Sequence, residues 1–270
     1  MKSWEKVGFK DSVIFAWIVS EHKDICLELL QLILPELKLT KISEVISEYT
    51  QKDSNDTHGV RFDIFTEDHE GRMYDIEMQV IDRHDLSKRI AYYQSNLVRR
   101  SLGAGHAYNA KADTYVIFIC DFDYGGSGLP IYTTEMILRE NHRPIDTGEH
   151  NIILNAKSKK LALVSKRLAI FLKYLESSEA TDAFTQKIDK LVAELKKDAG
   201  KKDHYMEYEQ EVEATKAYVR EEVQREDHEL LVKNMIKEGY SRKKIIHLMT
   251  RLAGLKEHEA MKIYDKLLVK

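Results

Sequence analysis

Two β-rich runs joined by a short polar turn constrain the fold of this chain more than any other feature. They are GVRFDIFTED and RMYDIEMQVI, and together they predict a hairpin. Centring the turn on Glu70 places Asp63 opposite Glu77. Because side chains alternate along a strand, the hairpin has one apolar and one polar face. The apolar residues are Val60, Phe62, Ile64, Ile76, Met78 and Val80, and the polar residues are Arg61, Asp63, Asp75, Glu77 and Gln79.

Helices and further strands are predicted on both sides of the hairpin. Apolar residues recur at helical spacing over 11–34, which predicts one helix or a helix with a break near Ser20. They recur again over 85–101, where the predicted buried stripe is Leu86, Ile90, Tyr93 and Leu97. Residues 113–122, DTYVIFICDF, form a near-continuous apolar run, which predicts a central strand covered on both faces. Weaker strands of the same sheet are predicted in IYTTEMIL and HNIILNA.

The fold class predicted is α/β, with a mixed sheet flanked by helices and an all-helical C-terminal extension. The sheet and its helices would occupy 1–160, with a polar loop at 50–59. Helix formers rich in Lys and Glu then predict long surface helices over 161–226. A small helical element follows at 227–270, in which Ser241 is placed to cap a helix.

Composition indicates a globular protein in a reducing cytoplasm. The chain has 270 residues, 43% of them hydrophobic and 32% charged, which is enough to bury a core. Its two cysteines, Cys26 and Cys120, lie in apolar surroundings and form no disulfide framework. No apolar run approaches the roughly 20 residues that cross a membrane, and the N-terminus lacks the apolar segment of a secretory signal.

The net charge of −3 restricts any nucleic-acid interface to a local patch. One basic cluster lies within 83–100, and another is the run Arg242, Lys243 and Lys244. Short basic runs are also often plain solvated helix faces. The second run would open the second helix of a helix-turn-helix. A packing or dimerisation element is the alternative, because a broad apolar face follows it.

The polar hairpin face carries the strongest candidate for chemistry. Asp63, Glu77 and Gln79 point the same way from neighbouring strands. Two carboxylates about 5 Å apart repel one another, and a divalent cation relieves that repulsion. Hard oxygen ligands suit Mg²⁺, which polarises phosphodiesters and activates water. The alternative is an ordinary solvent-facing strand whose acids serve solubility alone.

The chain resembles the PD-(D/E)XK nuclease superfamily in the order of its motifs, which is a helix, RFDIFTED, a turn, YDIEMQV and then RIAYYQS. Within that superfamily it resembles the branch called recombination-promoting nucleases or PD-(D/E)XK family transposases. The resemblance covers roughly 5–155 and implies a restriction-endonuclease-like core. It implies that Asp63 and Glu77 bind Mg²⁺, with the Met78 carbonyl as a further ligand and Mn²⁺ as a substitute. At the third position the superfamily commonly has Lys, and Gln79 here resembles the ExQ variant. Gln79 can orient a water molecule but carries no positive charge. Stabilising the developing negative charge would therefore fall to Arg89 or to the metal.

The helix after the hairpin supplies the predicted DNA contacts. Arginine and tyrosine suit phosphates and exposed bases, and the residues predicted to face away from the buried stripe are Arg89, Tyr92, Asn96 and Arg99. Tyr93 matches a family position but also fits the buried stripe. Asp11 matches a family acid but also suits the start of a helix, where the macrodipole favours negative charge.

The function predicted is a Mg²⁺-dependent DNA endonuclease linked to transposition or recombination. The rival is a catalytically degenerate relative that keeps the fold and acts as a nucleic-acid- or protein-binding module. A nuclease acting on RNA is a third reading, which the residues do not separate from the first. DNA is the expected partner and no membrane is, while homodimerisation stays open.

Overall fold

A computed structural model describes residues 3–51, 60–102, 105 and 107–268, and its centre is a six-stranded mixed sheet. The strand order is β1-β2-β3-β4-β6-β5. Strands β1, β2 and β3 are antiparallel neighbours, β3-β4 and β4-β6 are parallel pairs, and β5 is antiparallel to β6. The strands are β1 Ile46–Gln51, β2 Val60–Glu67, β3 Met73–Gln79, β4 Thr114–Cys120, β5 Ile131–Thr134 and β6 Glu149–Asn155.

The predicted hairpin is confirmed with its register. Ile64 pairs with Ile76, and Glu67 pairs with Met73, so the turn is centred on Glu70. Gly71 has φ +80°, a conformation that glycine adopts without strain. The Asp68 carboxylate holds the turn, since it accepts hydrogen bonds from the Glu70 and Arg72 amides.

Strand β4 is the central strand that its apolar run predicted, because each of its seven residues is buried. Parallel pairing of β3 with β4 requires a crossover between them, and helix α3, Leu86–Ser101, provides it. The helix packs on β2, β3, β4 and β6. It therefore covers the sheet face that carries the hairpin's polar side chains.

The opposite face of the sheet is covered by helix α1, Ser12–Glu21, which packs on β1, β2 and β3. Asp11 is its N-cap and accepts from the Val13 amide at 3.2 Å, as its position at the start of a helix predicted. Helix α2 runs over Lys23–Ile33, so the alternative of a helix with a break near Ser20 is confirmed, with the break at His22.

Helices α4, Lys166–Ser177, and α5, Ala183–Leu195, pack against α2, and α5 also packs against α1. They lie within the compact unit Ser3–Lys202. Their inner faces bury Phe171 and Ile188, so these helices are part of the core and not only of its surface. The predicted division at 160 and 226 into separate domains remains a prediction.

The second compact unit is Asp203–Lys270. It holds most of helix α6, Ala199–Lys237, followed by α7, Arg242–Leu252, and α8, Glu257–Leu268. Ser241 caps α7 as predicted, because its hydroxyl accepts from the Lys244 amide. In the ranges that the structure describes, no helix has both the length and the apolar character to span a membrane.

One strand was missed by the sequence interpretation. Strand β1, ISEYTQ, includes residues 50 and 51, where the polar composition predicts a loop. Its polar composition hid it, because it is an edge strand that pairs only with β2. The rest of that predicted loop, 52–59, lies outside the described residues, and so does the side-chain placement of Val60, Arg61 and Phe62.

Candidate active site

The two acids of the predicted metal site exchange hydrogen bonds with each other's strand. Glu77 Oε1 accepts from the Asp63 amide at 2.8 Å, and Asp63 Oδ2 accepts from the Met78 amide at 3.2 Å. The β2-β3 ladder ends at the pair Ile64–Ile76. Carboxylates thus replace backbone carbonyls as acceptors at the place where the strands separate. Asp63 and Glu77 share one side of the sheet, as the alternation predicted.

Arg89 reaches this pair from the first turn of α3. Its Nη1 donates to Gln79 Oε1 at 2.6 Å, and its Nη2 donates to Glu77 Oε2 at 3.1 Å and to the Tyr93 hydroxyl at 3.1 Å. The guanidinium also lies 5.3 Å from the ring centres of Tyr93 and Phe118. The ion pair, the hydrogen bonds and the two aromatic rings therefore hold the positively charged guanidinium of Arg89 beside the acids.

Asp75 is a member of this acid cluster that the sequence interpretation left out of the site. It lies two residues before Glu77 on the same strand face, and it is 0% exposed. Neither of its carboxyl oxygens accepts a hydrogen bond from an N–H or O–H donor among the described residues, and the group within hydrogen-bond reach is another carboxyl, that of Glu77. The signal was present in the sequence, since YDIEMQV places Asp75, Glu77 and Gln79 on one face.

The electrostatics of the cluster follow from its burial. Loss of water raises the pKa of Asp75 well above its ordinary value, and the charges of Glu77 and Asp63 raise it further. The pKa of Glu77 is also raised, by burial first and by Asp63 second, although the Asp63 amide and Arg89 act in the opposite direction. Arg89 therefore balances only part of the negative charge.

The donor chemistry of the cluster fits a hard divalent cation. Asp63, Asp75 and Glu77 supply carboxylate oxygens, and Asp75 brings two oxygens that lack a donor. Across 3–51, 60–102, 105 and 107–268, no group of three or more His, Cys, Asp or Glu side chains is already arranged to hold an ion. The residue types fit such an ion, and these side chains would have to move to hold one.

Burial corrects one expectation about the hairpin. The alternative reading of the polar face was an ordinary solvent-facing strand, but α3 covers this face and Glu77 is 1% exposed. A buried acid does not serve solubility, because removing a charge from water costs free energy. The solubility alternative is therefore wrong for Asp75 and Glu77.

The predicted DNA-contact residues of α3 divide into two groups. Tyr92 and Arg99 are exposed, as expected. Asn96 is only 9% exposed and its amide donates to the Tyr92 carbonyl, so the expectation that it faces outward is wrong. Arg89 points into the acid cluster instead of outward.

Tyr93 has a packing role with a polar end. Its ring stacks on Phe118 at 5.8 Å with an interplanar angle of 2°, which confirms its predicted place in the buried stripe. Its hydroxyl accepts from Arg89 Nη2. Because the hydroxyl engages Arg89, the side chain also positions a charged member of the cluster.

The remaining candidate DNA contacts are Arg242, Lys243 and Lys244, which lie far from the acid cluster along the chain. Arg242 forms a two-oxygen ion pair with Asp265 of α8, and Lys244 lies over the Tyr240 ring at 4.3 Å. Lys243 follows Arg242 in the first turn of α7. These three belong to the second compact unit.

Comparison with known proteins gives one family. A family described as PD-(D/E)XK nuclease family transposase matches residues 8–241 of the chain. No match was found among curated proteins or among solved structures. The matched span contains the acid cluster and the whole of α3, and it ends just before Arg242.

Proposed function

The chain belongs to the PD-(D/E)XK nuclease family transposases, and from that premise we propose that it is a metal-dependent DNA endonuclease serving transposition or recombination. The observation that carries the proposal is the convergence of Asp63 and Glu77, which bind each other's strand at 2.8 and 3.2 Å. Two acids that each hydrogen-bond the other's strand beside a helix, with an arginine next to them, suit phosphoryl chemistry better than a purely structural role.

Asp63 and Glu77 would hold the cation, with the Met78 carbonyl as a third ligand. Mg²⁺ is the ion proposed, and Mn²⁺ its substitute, because carboxylate and carbonyl oxygens suit both. When bound, such an ion polarises the phosphodiester and lowers the pKa of a water. The site's own residues supply the remaining functions.

Gln79 is proposed to align the attacking water through its side-chain amide. Arg89 holds that amide at 2.6 Å and so fixes its orientation. Because Arg89 is charged and sits on α3, it also supplies the positive charge for the phosphate that Gln79 lacks. In-line attack of the water on phosphorus then breaks the bond to the leaving sugar oxygen.

DNA would approach along the exposed side of α3, where Tyr92 and Arg99 lie. A tyrosine ring stacks on unpaired bases, and an arginine binds phosphate.

Two buried free thiols, Cys26 and Cys120, suit the reducing cytoplasm proposed as the compartment.

The test is a nicking assay on supercoiled plasmid with Mg²⁺ or Mn²⁺, with RNA of matched length alongside. The wild type should nick DNA, and Asp63→Asn and Glu77→Gln should each lose at least 100-fold in rate. Glu70→Gln is the matched control, since Glu70 lies in the exposed turn of the same hairpin. Equal nicking by all four proteins would assign the activity to a different site or a contaminant.

A degenerate binding module is the second candidate, because Arg89 already engages both Glu77 and Gln79. An arginine that neutralises the acids in place of a metal would leave DNA or protein binding without cleavage. Calorimetry with Mn²⁺ separates the two functions. Binding that Asp63→Asn abolishes supports the nuclease, and no binding by the wild type supports the module.

A further inference from the structure

We propose that Asp75 is a third carboxylate ligand of the divalent cation, and that its burial makes the stability of the protein depend on that cation. The inference rests on the proposed metal site and extends it by one residue of this chain. It is carried by the placement of Asp75, which is 0% exposed, lies on the strand face of Glu77, and has no donor for either oxygen among the described residues.

Asp68 provides the comparison within the same hairpin. It is also buried, at 7% exposure, but its carboxylate accepts from the Glu70 and Arg72 amides, from Arg72 Nε at 2.6 Å and from the Tyr74 hydroxyl at 2.8 Å. Buried acids in proteins are normally satisfied in this way. Asp75 lacks any such arrangement, so packing alone does not explain an acid there.

The polar groups around Asp75 add to the free-energy cost of burying its carboxyl group. The nearby acids are Glu77 and Asp63, and each bond that the structure gives Arg89 goes to Glu77, Gln79 or Tyr93 instead. The Glu77 carboxyl lies within hydrogen-bond reach of Asp75, but it presents an oxygen there and not an N–H donor. The oxygens of Asp75 therefore face other carboxyl oxygens with no donor among the described residues, an arrangement that a bound cation would satisfy.

A cation is the better explanation because of where Asp75 lies. A valine or isoleucine would fill a buried strand position beneath α3 at no electrostatic cost. An acid at this position, two residues from Glu77, adds negative charge to the one cluster that is proposed to bind a positive ion. Residues that weaken the fold in this way are typical of functional sites.

The experiment compares wild type, Asp75→Asn and Asp68→Asn by thermal unfolding and Mn²⁺ calorimetry. Asparagine has the shape of aspartate without its charge. In EDTA, Asp75→Asn should melt above the wild type and Asp68→Asn below it. Added Mn²⁺ should raise the melting temperature of wild type and Asp68→Asn alike, but that of Asp75→Asn much less. Calorimetry should give at least ten-fold weaker Mn²⁺ binding for Asp75→Asn.

The outcomes separate this inference from the proposed function. If Asp63→Asn abolishes Mn²⁺ binding while Asp75→Asn binds as tightly as the wild type, Asp75 is not a ligand and the inference is overturned, while the metal site stands. If the wild type binds no Mn²⁺, both are overturned. Should asparagine prevent folding, Asp75→Val tests the same point, because a β-branched apolar residue suits a buried strand.

Discussion

Arg89 Nη1 lies 2.6 Å from Gln79 Oε1. This contact places a guanidinium from α3 beside the strand position where the superfamily that the motifs resemble commonly carries a lysine. The positive charge beside this position therefore belongs to a residue of the helix and not to one of the strand. Gln79 and Arg89 are joined by this hydrogen bond, so the residue at each of the two positions limits which substitutions the other position tolerates.

Gln79→Lys should therefore lower stability rather than restore a conventional motif. A lysine ammonium at this place would face the Arg89 guanidinium, and two like charges repel. We expect a loss of about 1–3 kcal/mol in the free energy of unfolding, measured by urea denaturation. Gln79→Met is the control, since it removes the hydrogen bond and adds no charge. Equal stability of the two variants would show that Arg89 moves aside freely.

The ion pair between Arg89 and Glu77 leads to a second prediction. Arg89→Met leaves Glu77, which is 1% exposed, without its cation. Removing one partner of a buried pair costs about 3–5 kcal/mol. The double variant with Glu77→Gln should lose less than the sum of the single losses, with a coupling on the order of 1–3 kcal/mol in urea denaturation. Strict additivity would mean that the two side chains do not interact in solution.

The hairpin and its register followed from the sequence because a turn and strict alternation leave little freedom. Once Glu70 was placed at the turn, Ile64 had to face Ile76, and Asp63 and Glu77 had to share a face. Strand β4 followed as well, since only a strand covered on both faces is apolar throughout.

The burial of the polar face did not follow, because it depends on where α3 lies after the crossover. Helical periodicity located the stripe of Leu86, Ile90 and Leu97, but not the rotation that brings Asn96 inward and points Arg89 at Glu77. That rotation depends on tertiary packing against Phe118 and its neighbours. The unsatisfied state of Asp75 is likewise a property of its surroundings and not of its residue type.

Asp68 should make the hairpin turn sensitive to acid. Burial alone would raise its pKa, but hydrogen bonds from Arg72, Tyr74 and the turn amides outweigh burial, so the pKa lies below the ordinary value of 3.8. A lowered pKa in the folded state gives stability that is present above about pH 4 and lost as the pH falls further. Asp68→Asn lacks this contribution.

Urea midpoints at pH 6 and pH 3 test this directly. The difference in stability between wild type and Asp68→Asn should be large at pH 6 and should shrink at pH 3. Glu70→Gln is a suitable comparison, because Glu70 is exposed in the same turn. A difference that stays constant between the two pH values would contradict the assigned shift.

The second compact unit gives the last prediction, which concerns whether α7 packs or binds DNA. Ile245 is 0% exposed in a cluster with Val232, Met235 and Met249, whereas Leu252 of the same helix is 75% exposed. Ile245→Ala should lower the free energy of unfolding by about 2–5 kcal/mol and speed hydrogen exchange of the α7 amides, while Leu252→Ala should lower it by less than about 0.5 kcal/mol.

Lys243→Glu should leave plasmid binding unchanged if α7 serves packing alone. Weaker binding by Lys243→Glu, with a smaller salt dependence, would instead favour the helix-turn-helix reading.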